Sequence, residues 1–149
     1  WNKYFDDFLS VFAYCLIQNH FHLFVRVQPK ESDDLNSELE ERFKRFFSSY
    51  TLAFNKQHQR NGSLFQKRFK RIRVDDDSYF TKIIHYIHNN SIHHGLTDSY
   101  KKWNYSSYNA IVSNNRTKIN RNEVLDWFGG KANFIEYHQQ NIEKHTLED

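Results

Sequence analysis

Residues 20–27 alternate without a break: Phe21, Leu23, Val25 and Val27 point one way, and His20, His22, Phe24 and Arg26 the other. A period of two cannot be satisfied by a helix, whose faces return every ~3.6 residues, so this stretch is expected to be a strand. Residues 11–17, just before it, are apolar, aromatic and β-branched with no helical spacing of polar positions, and make a second strand candidate. Only a short turn around Gln18 and Asn19 separates the two. They are expected to pair as a β-hairpin at the centre of a sheet, and the rest of the chain must cover it.

The covering elements are legible by the same logic. Residues 1–9 read as the end of a helix, with Tyr4, Phe5, Phe8 and Leu9 on one side. From residue 35 to about 58, Leu39, Phe43, Phe46, Phe47, Tyr50 and Phe54 recur at helical spacing until Asn61-Gly62-Ser63 stops them. Residues 64–74 look extended and are expected to form another strand. Asp75-Asp76-Asp77-Ser78 is a helix start, with acids at the positive end of the helix dipole; this helix should run to about Asn90, with Gly95 in the turn beyond. A short helix over 103–112 and a helical pair over 121–128 and 131–144, split by Gly129-Gly130, complete the chain. The order predicts an α+β fold with helices over an antiparallel sheet. No repeat or internal boundary is visible, and 149 residues suit one domain.

Composition narrows the classes. The net charge of +3 is modest, and the lone Cys15 cannot form an internal disulfide, which favours a reducing compartment. No apolar run approaches the ~18 residues of a membrane span and no signal peptide is visible, so a soluble, cytoplasmic protein is expected. The chain begins at Trp1 and contains no Met, and so reads as part of a longer chain.

Three groups of residues could carry chemistry. His20 and His22, at i and i+2 on a strand, share a face and can both reach one metal while Phe21 anchors the strand; the plainer alternative is two surface histidines. Tyr86 and Asn90 are i and i+4 on a helix, so a phenol stands beside an amide able to ligate a metal; the alternative is an amphipathic helix with a half-buried Tyr. His85 and His88 on the same helix are further candidate ligands. The third group is a basic run containing Arg60, Lys67, Arg68, Lys70, Arg71 and Arg73, interleaved with Phe65 and Phe69 and free of acids, either a phosphate-binding footprint or a solvated strand. Together they meet the needs of one reaction. A phenol of pKa ~10 is a weak nucleophile at neutral pH, a divalent cation can polarise a phosphodiester, and basic and aromatic side chains can hold a single strand.

At these positions the chain resembles a known family. Residues 14–25, Tyr-Cys-Leu-Ile-Gln-Asn-His-Phe-His-Leu-Phe-Val, look like the histidine–hydrophobe–histidine strand of the single-tyrosine HUH transposases. Residues 62–70 resemble that family's basic strand, and Tyr86-Ile87-His88-Asn89-Asn90 followed by Gly95-Leu96 its nucleophile helix. Trp103 with Ser106-Ser107-Tyr108 resembles a tail motif of the REP-associated tyrosine transposases, the insertion-sequence-200-like branch. The likeness spans about residues 10–112, in order. It departs where Gln18 and Ser91 replace prolines common in the family, and where a first strand is absent.

The resemblance implies a ferredoxin-like α+β sheet with covering helices, lacking its first strand here. Residues 1–112 would be the catalytic domain and 113–149 a helical extension of it. His20, His22 and Asn90 would ligate Mg²⁺ or Mn²⁺, and Tyr86 would become a 5′-phosphotyrosine. The partner would be single-stranded or hairpin DNA, bound by Arg60, Lys67, Arg68, Lys70, Arg71 and Arg73. Relatives act as homodimers or as monomers. Two other readings stay open: a hydrolytic nuclease using the same metal site, and a non-catalytic DNA-hairpin-binding domain.

Overall fold

The structure, a computed structural model, describes residues 1–28, 34–66 and 69–140. Its elements in order are α1 (Asn2–Phe5), β1 (Leu9–Leu16), β2 (Phe21–Val27), α2 (Leu35–Gln57), α3 (Phe80–His93), α4 (Tyr108–Val112), α5 (Arg121–Trp127) and α6 (Lys131–Gln140). A 3₁₀ turn over Asp77–Tyr79 leads into α3, and another spans Tyr100–Lys102. The α+β class expected from the pattern is what forms. Among the described residues the sheet has two antiparallel strands, β1 and β2. The residues divide into two compact units: Trp1–Leu9 with Val27–Arg73, and Ser10–Arg26 with the chain from Val74 on.

In the first unit, Asp34 caps α2 by accepting hydrogen bonds from the Ser37 amide (3.0 Å) and hydroxyl (2.6 Å), which hold its carboxyl below the usual range. The aromatic stripe of α2 gathers a small core in which Phe43 lies 4.6 Å from Phe5, ring centre to ring centre. Arg42 ties this core to α1. Its guanidinium donates to Glu38 and to the Tyr4 carbonyl (2.7 Å each) and lies 4.4 Å above the Phe8 ring.

The strand expected over 64–74 is absent among the described residues of that segment. The chain is held there by side chains instead of a ladder: Phe65 lies 4.5 Å from Phe47, Phe69 lies 5.0 Å from Phe43, and Asn55 donates to the Gly62 carbonyl (2.9 Å). Phe65 and Phe69, expected on an extended segment, seat instead on the ring stripe of α2.

In the second unit, Phe12, Phe24, Ile84, Ile87, Tyr108, Ile111, Val124, Phe128 and Phe134 form one buried cluster. Burying each such side chain is worth roughly 1.5–3 kcal/mol. The buried residue of β2 is Phe24, on the histidine face, 5.4 Å from Phe12 and 5.2 Å from Phe80. Phe21, expected to anchor the strand, is only half-buried. Helix α3 and Trp127 cover the histidine face, so the hairpin presents its imidazoles inward beside its core residue.

The far edge of β1 is closed by irregular chain. Leu16 N–H donates to the Tyr105 carbonyl (2.8 Å), Ser107 N–H to the Tyr14 carbonyl (2.9 Å) and Asn120 N–H to the Val11 carbonyl (2.9 Å). The Trp103 indole adds a bond to the Leu16 carbonyl (3.1 Å). The Trp103–Tyr108 motif thus acts as an edge cover, which removes a row of open strand donors and acceptors. It is an irregular turn with a single bridge at Ser106, and only Tyr108–Val112 of the helix expected over 103–112 is helical.

Candidate functional site

A two-residue turn at Gln18 and Asn19 is closed by Ile17 N–H donating to the His20 carbonyl (3.0 Å). That turn sets His20 at the mouth of the hairpin and His22 one pleat further in, with ring centres 5.1 Å apart. The His20 ring also lies 5.0 Å from His94, and the His22 ring 5.4 Å from Tyr86, edge-on at 75°. At ~100° per residue, Tyr86, Asn90 and His94 form one slowly rotating stripe along α3 and its C-cap. Of the residues singled out from the sequence, His20, His22 and Tyr86 are thereby brought together in the second unit, and Asn90 stands one turn along α3 from Tyr86, bonded to its carbonyl.

His94 was missed by sequence reasoning, although extending the Tyr86–Asn90 spacing by one more turn would have found it. Tyr79, seven residues before Tyr86, is half-exposed, with the Lys82 ammonium 5.1 Å from its ring.

Whether these residues suit a divalent ion turns on their donor atoms. Asn90 is 4% exposed and spends its amide N–H on the Tyr86 carbonyl (2.9 Å), so its remaining polar atom is the oxygen, a hard ligand. His22 Nε2 is shielded from solvent. Among the described residues no group of three or more His, Cys, Asp and Glu side chains is placed to hold a metal. Two imidazoles plus an amide oxygen form a sparser, mixed set, which fits a weakly held Mn²⁺ or Mg²⁺ better than a closed structural zinc site.

The other histidines of α3 do something else. His85, His88 and His138 are fully buried. His138 Nδ1 lies 2.8 Å from the Phe134 carbonyl, which can only accept, so the proton is on Nδ1 and Nε2 is bare. His88 Nδ1 must then donate to His138 Nε2 (2.9 Å), leaving His88 Nε2 to accept from the Ser107 hydroxyl (2.7 Å). Ser107 in turn accepts from the Tyr14 amide of β1 (2.9 Å). One carbonyl therefore sets every proton along a chain from α6 through α3 to β1.

A second chain runs from His85 Nε2 to the Tyr100 hydroxyl (3.1 Å) and on to Asn89 Oδ1 (3.1 Å). Burial is the first cause that holds His88 well below the ordinary histidine range; the nearby His138 and His85 add to it. Burial likewise brings His138 down to about 3. His85 and His88, weighed above as ligands, are buried structural links that fix the helix carrying Tyr86.

The basic run belongs to the first unit. Lys67 and Arg68 lie outside the described residues. Lys70 and Arg73 are exposed. Arg71 pairs with Glu40 (2.5 Å), and Arg60 leans over Phe54 (5.8 Å) while reaching the Ser63 carbonyl (3.4 Å). Cys15 is buried and its thiol is pushed up to about 11, chiefly by desolvation, which leaves it unreactive. No helix among the described residues is long and apolar enough to cross a membrane.

Residues 6–90 match the family model described as IS200-like transposase. A Haemophilus influenzae protein named for the REP-associated tyrosine transposases is 30% identical over 105 residues, covering 67% of this chain and 59% of that protein. The chain thus spans under two thirds of that relative's length. No solved structure matches. The matched segment runs from before the hairpin to Asn90, taking in both histidines and the Tyr86 helix, and on that extent the chain belongs to the family of IS200-like DNA transposases.

Proposed function

We propose that this chain cuts and rejoins single-stranded DNA beside hairpins, with Tyr86 as the nucleophile and His20, His22 and Asn90 as the ligands of Mg²⁺ or Mn²⁺. The observation that carries the reading is the His22 ring against the Tyr86 ring at 5.4 Å, with His20 a further 5.1 Å along. The phenol oxygen of Tyr86 bonds to the scissile phosphorus as the bond from phosphorus to O3′ breaks. The phenol loses its proton and the departing 3′-oxygen gains one. The 5′-phosphate stays on the tyrosine, and attack by a 3′-hydroxyl reverses the step to join a strand.

When bound, the ion supplies charge neutralisation and polarisation of the phosphodiester. The protein's own part is to hold Tyr86 on a helix whose buried His88 and Asn89 prevent it from shifting, which keeps attacker and target in register. Lys70 and Arg73, with Lys67, Arg68, Arg60 and Arg71, are read as phosphate contacts that track the strand. DNA is the partner in this reading, and assembly as a homodimer is compatible with it.

The test is incubation with labelled hairpin DNA and Mn²⁺, followed by a denaturing gel. A protein-linked band is expected. Tyr86→Phe should lower it at least ~10³-fold while leaving hairpin binding within about twofold, and Tyr79→Phe should retain it. Free nicked DNA without a linked band would replace this reading with hydrolysis, and retention without cleavage with simple binding.

A further inference from the structure

His20 has a neighbour that none of the comparisons assigns a role. The Asn19 side-chain oxygen lies 2.9 Å from His20 Nδ1. An amide oxygen can only accept, so the proton of a neutral His20 must sit on Nδ1, and Nε2 then presents a bare lone pair. The hairpin gives this contact its geometry. Asn19 is the second corner of the turn closed between Ile17 and His20, so its side chain is set by backbone hydrogen bonding and not by a long flexible linker. The His94 ring also packs edge-on against the imidazole, 5.0 Å away centre to centre.

We propose that Asn19 is a positioning residue. It holds His20 in the Nδ1–H tautomer, so that Nε2 is the atom turned to a divalent cation. The inference rests on the reading of His20 as a ligand, but its first consequence, the tautomer, does not need a metal. Partners that hold the second nitrogen of a ligating histidine typically change metal affinity by 10–100-fold when removed.

The first experiment is nitrogen-15 NMR of the ring nitrogens in metal-free protein at pH 8. Wild type should show His20 protonated on Nδ1, and Asn19→Asp, which keeps an acceptor, should show the same. Asn19→Ala should shift His20 toward a mixture dominated by Nε2–H. An Nε2–H signal in the wild type overturns the proposal, as does a tautomer unchanged in Asn19→Ala but altered in His94→Ala. The second experiment is Mn²⁺ titration followed by electron paramagnetic resonance. Asn19→Ala should bind about tenfold more weakly and Asn19→Asp within about threefold of wild type. If His20→Ala and His22→Ala bind Mn²⁺ as well as wild type, the ligand reading itself falls. If they lose binding and Asn19→Ala does not weaken it, the positioning role alone falls.

Discussion

Two groups of histidines in the second unit, His88 with His138 and His20 with His22, use the same side chain for opposite ends. His88 and His138 have no exposed surface, and each ring donates from one nitrogen and accepts at the other in a chain anchored on the Phe134 carbonyl. His20 and His22 are half-buried at the hairpin mouth, in ring contact with each other. Desolvation makes the first group neutral and fully engaged, hence structural. The second group is only partly buried, and the reading of it as chemical rests on that difference. An imidazole's role is set by how many of its nitrogens the fold has already used, which residue type alone does not reveal.

Mutation of one member from each group should break the symmetry most visibly. His88→Ala leaves a cavity and strands His138 Nε2 and Ser107, and should lower unfolding free energy by roughly 3–5 kcal/mol in a urea titration. His20→Ala should cost only about 0.5 kcal/mol by the same measurement, while abolishing metal-dependent cleavage. Equal losses would erase the distinction.

Acid should sharpen it. The folded-state pKa of His138 is depressed to about 3 and that of His88 is also depressed, whereas both take up protons near 6.5 when unfolded. The contribution of His138 is therefore complete above pH ~6.5 and falls by roughly 1.4 kcal/mol per pH unit as pH drops toward about 3, and His88 acts in the same direction. His138→Phe should flatten that slope. A smaller effect is expected at the second buried chain. Tyr100→Phe removes the hydroxyl joining His85 to Asn89 and should cost about 1–2 kcal/mol in thermal or urea unfolding. A change near zero would mean that the buried network is not held at this point.

Much of the fold was readable in advance because helix and strand periodicity is local. The alternation over 20–27 marked β2, the Phe stripe marked α2, and the Asp-rich cap preceding Tyr79 marked the start of α3. The candidate site was legible to the same extent: i, i+2 on a strand and i, i+4 on a helix predict shared faces, and the His20, His22 and Tyr86 rings meet in sequence. Local pattern failed where neighbours outside the segment decide. Residues 64–74 look like a strand by composition, yet Phe65 and Phe69 seat on α2 and no ladder forms among the described residues. Phe24 is as apolar as Phe21, and only the placement of Phe80 and Trp127 over one face makes it the buried one.

What the sequence determined by itself was the two hairpin strands and their pairing, the long helices α2 and α3, and the grouping of Tyr86 with Asn90 on one helix face, because each depends on residues a few positions apart. Only tertiary structure decided which histidines are buried in the core and which stay partly exposed. His88 meets Ser107 nineteen residues on and His138 fifty residues on. Burial and hydrogen-bond partnership are properties of the packed chain, and no spacing within α3 encodes what will arrive from α6 to cover it.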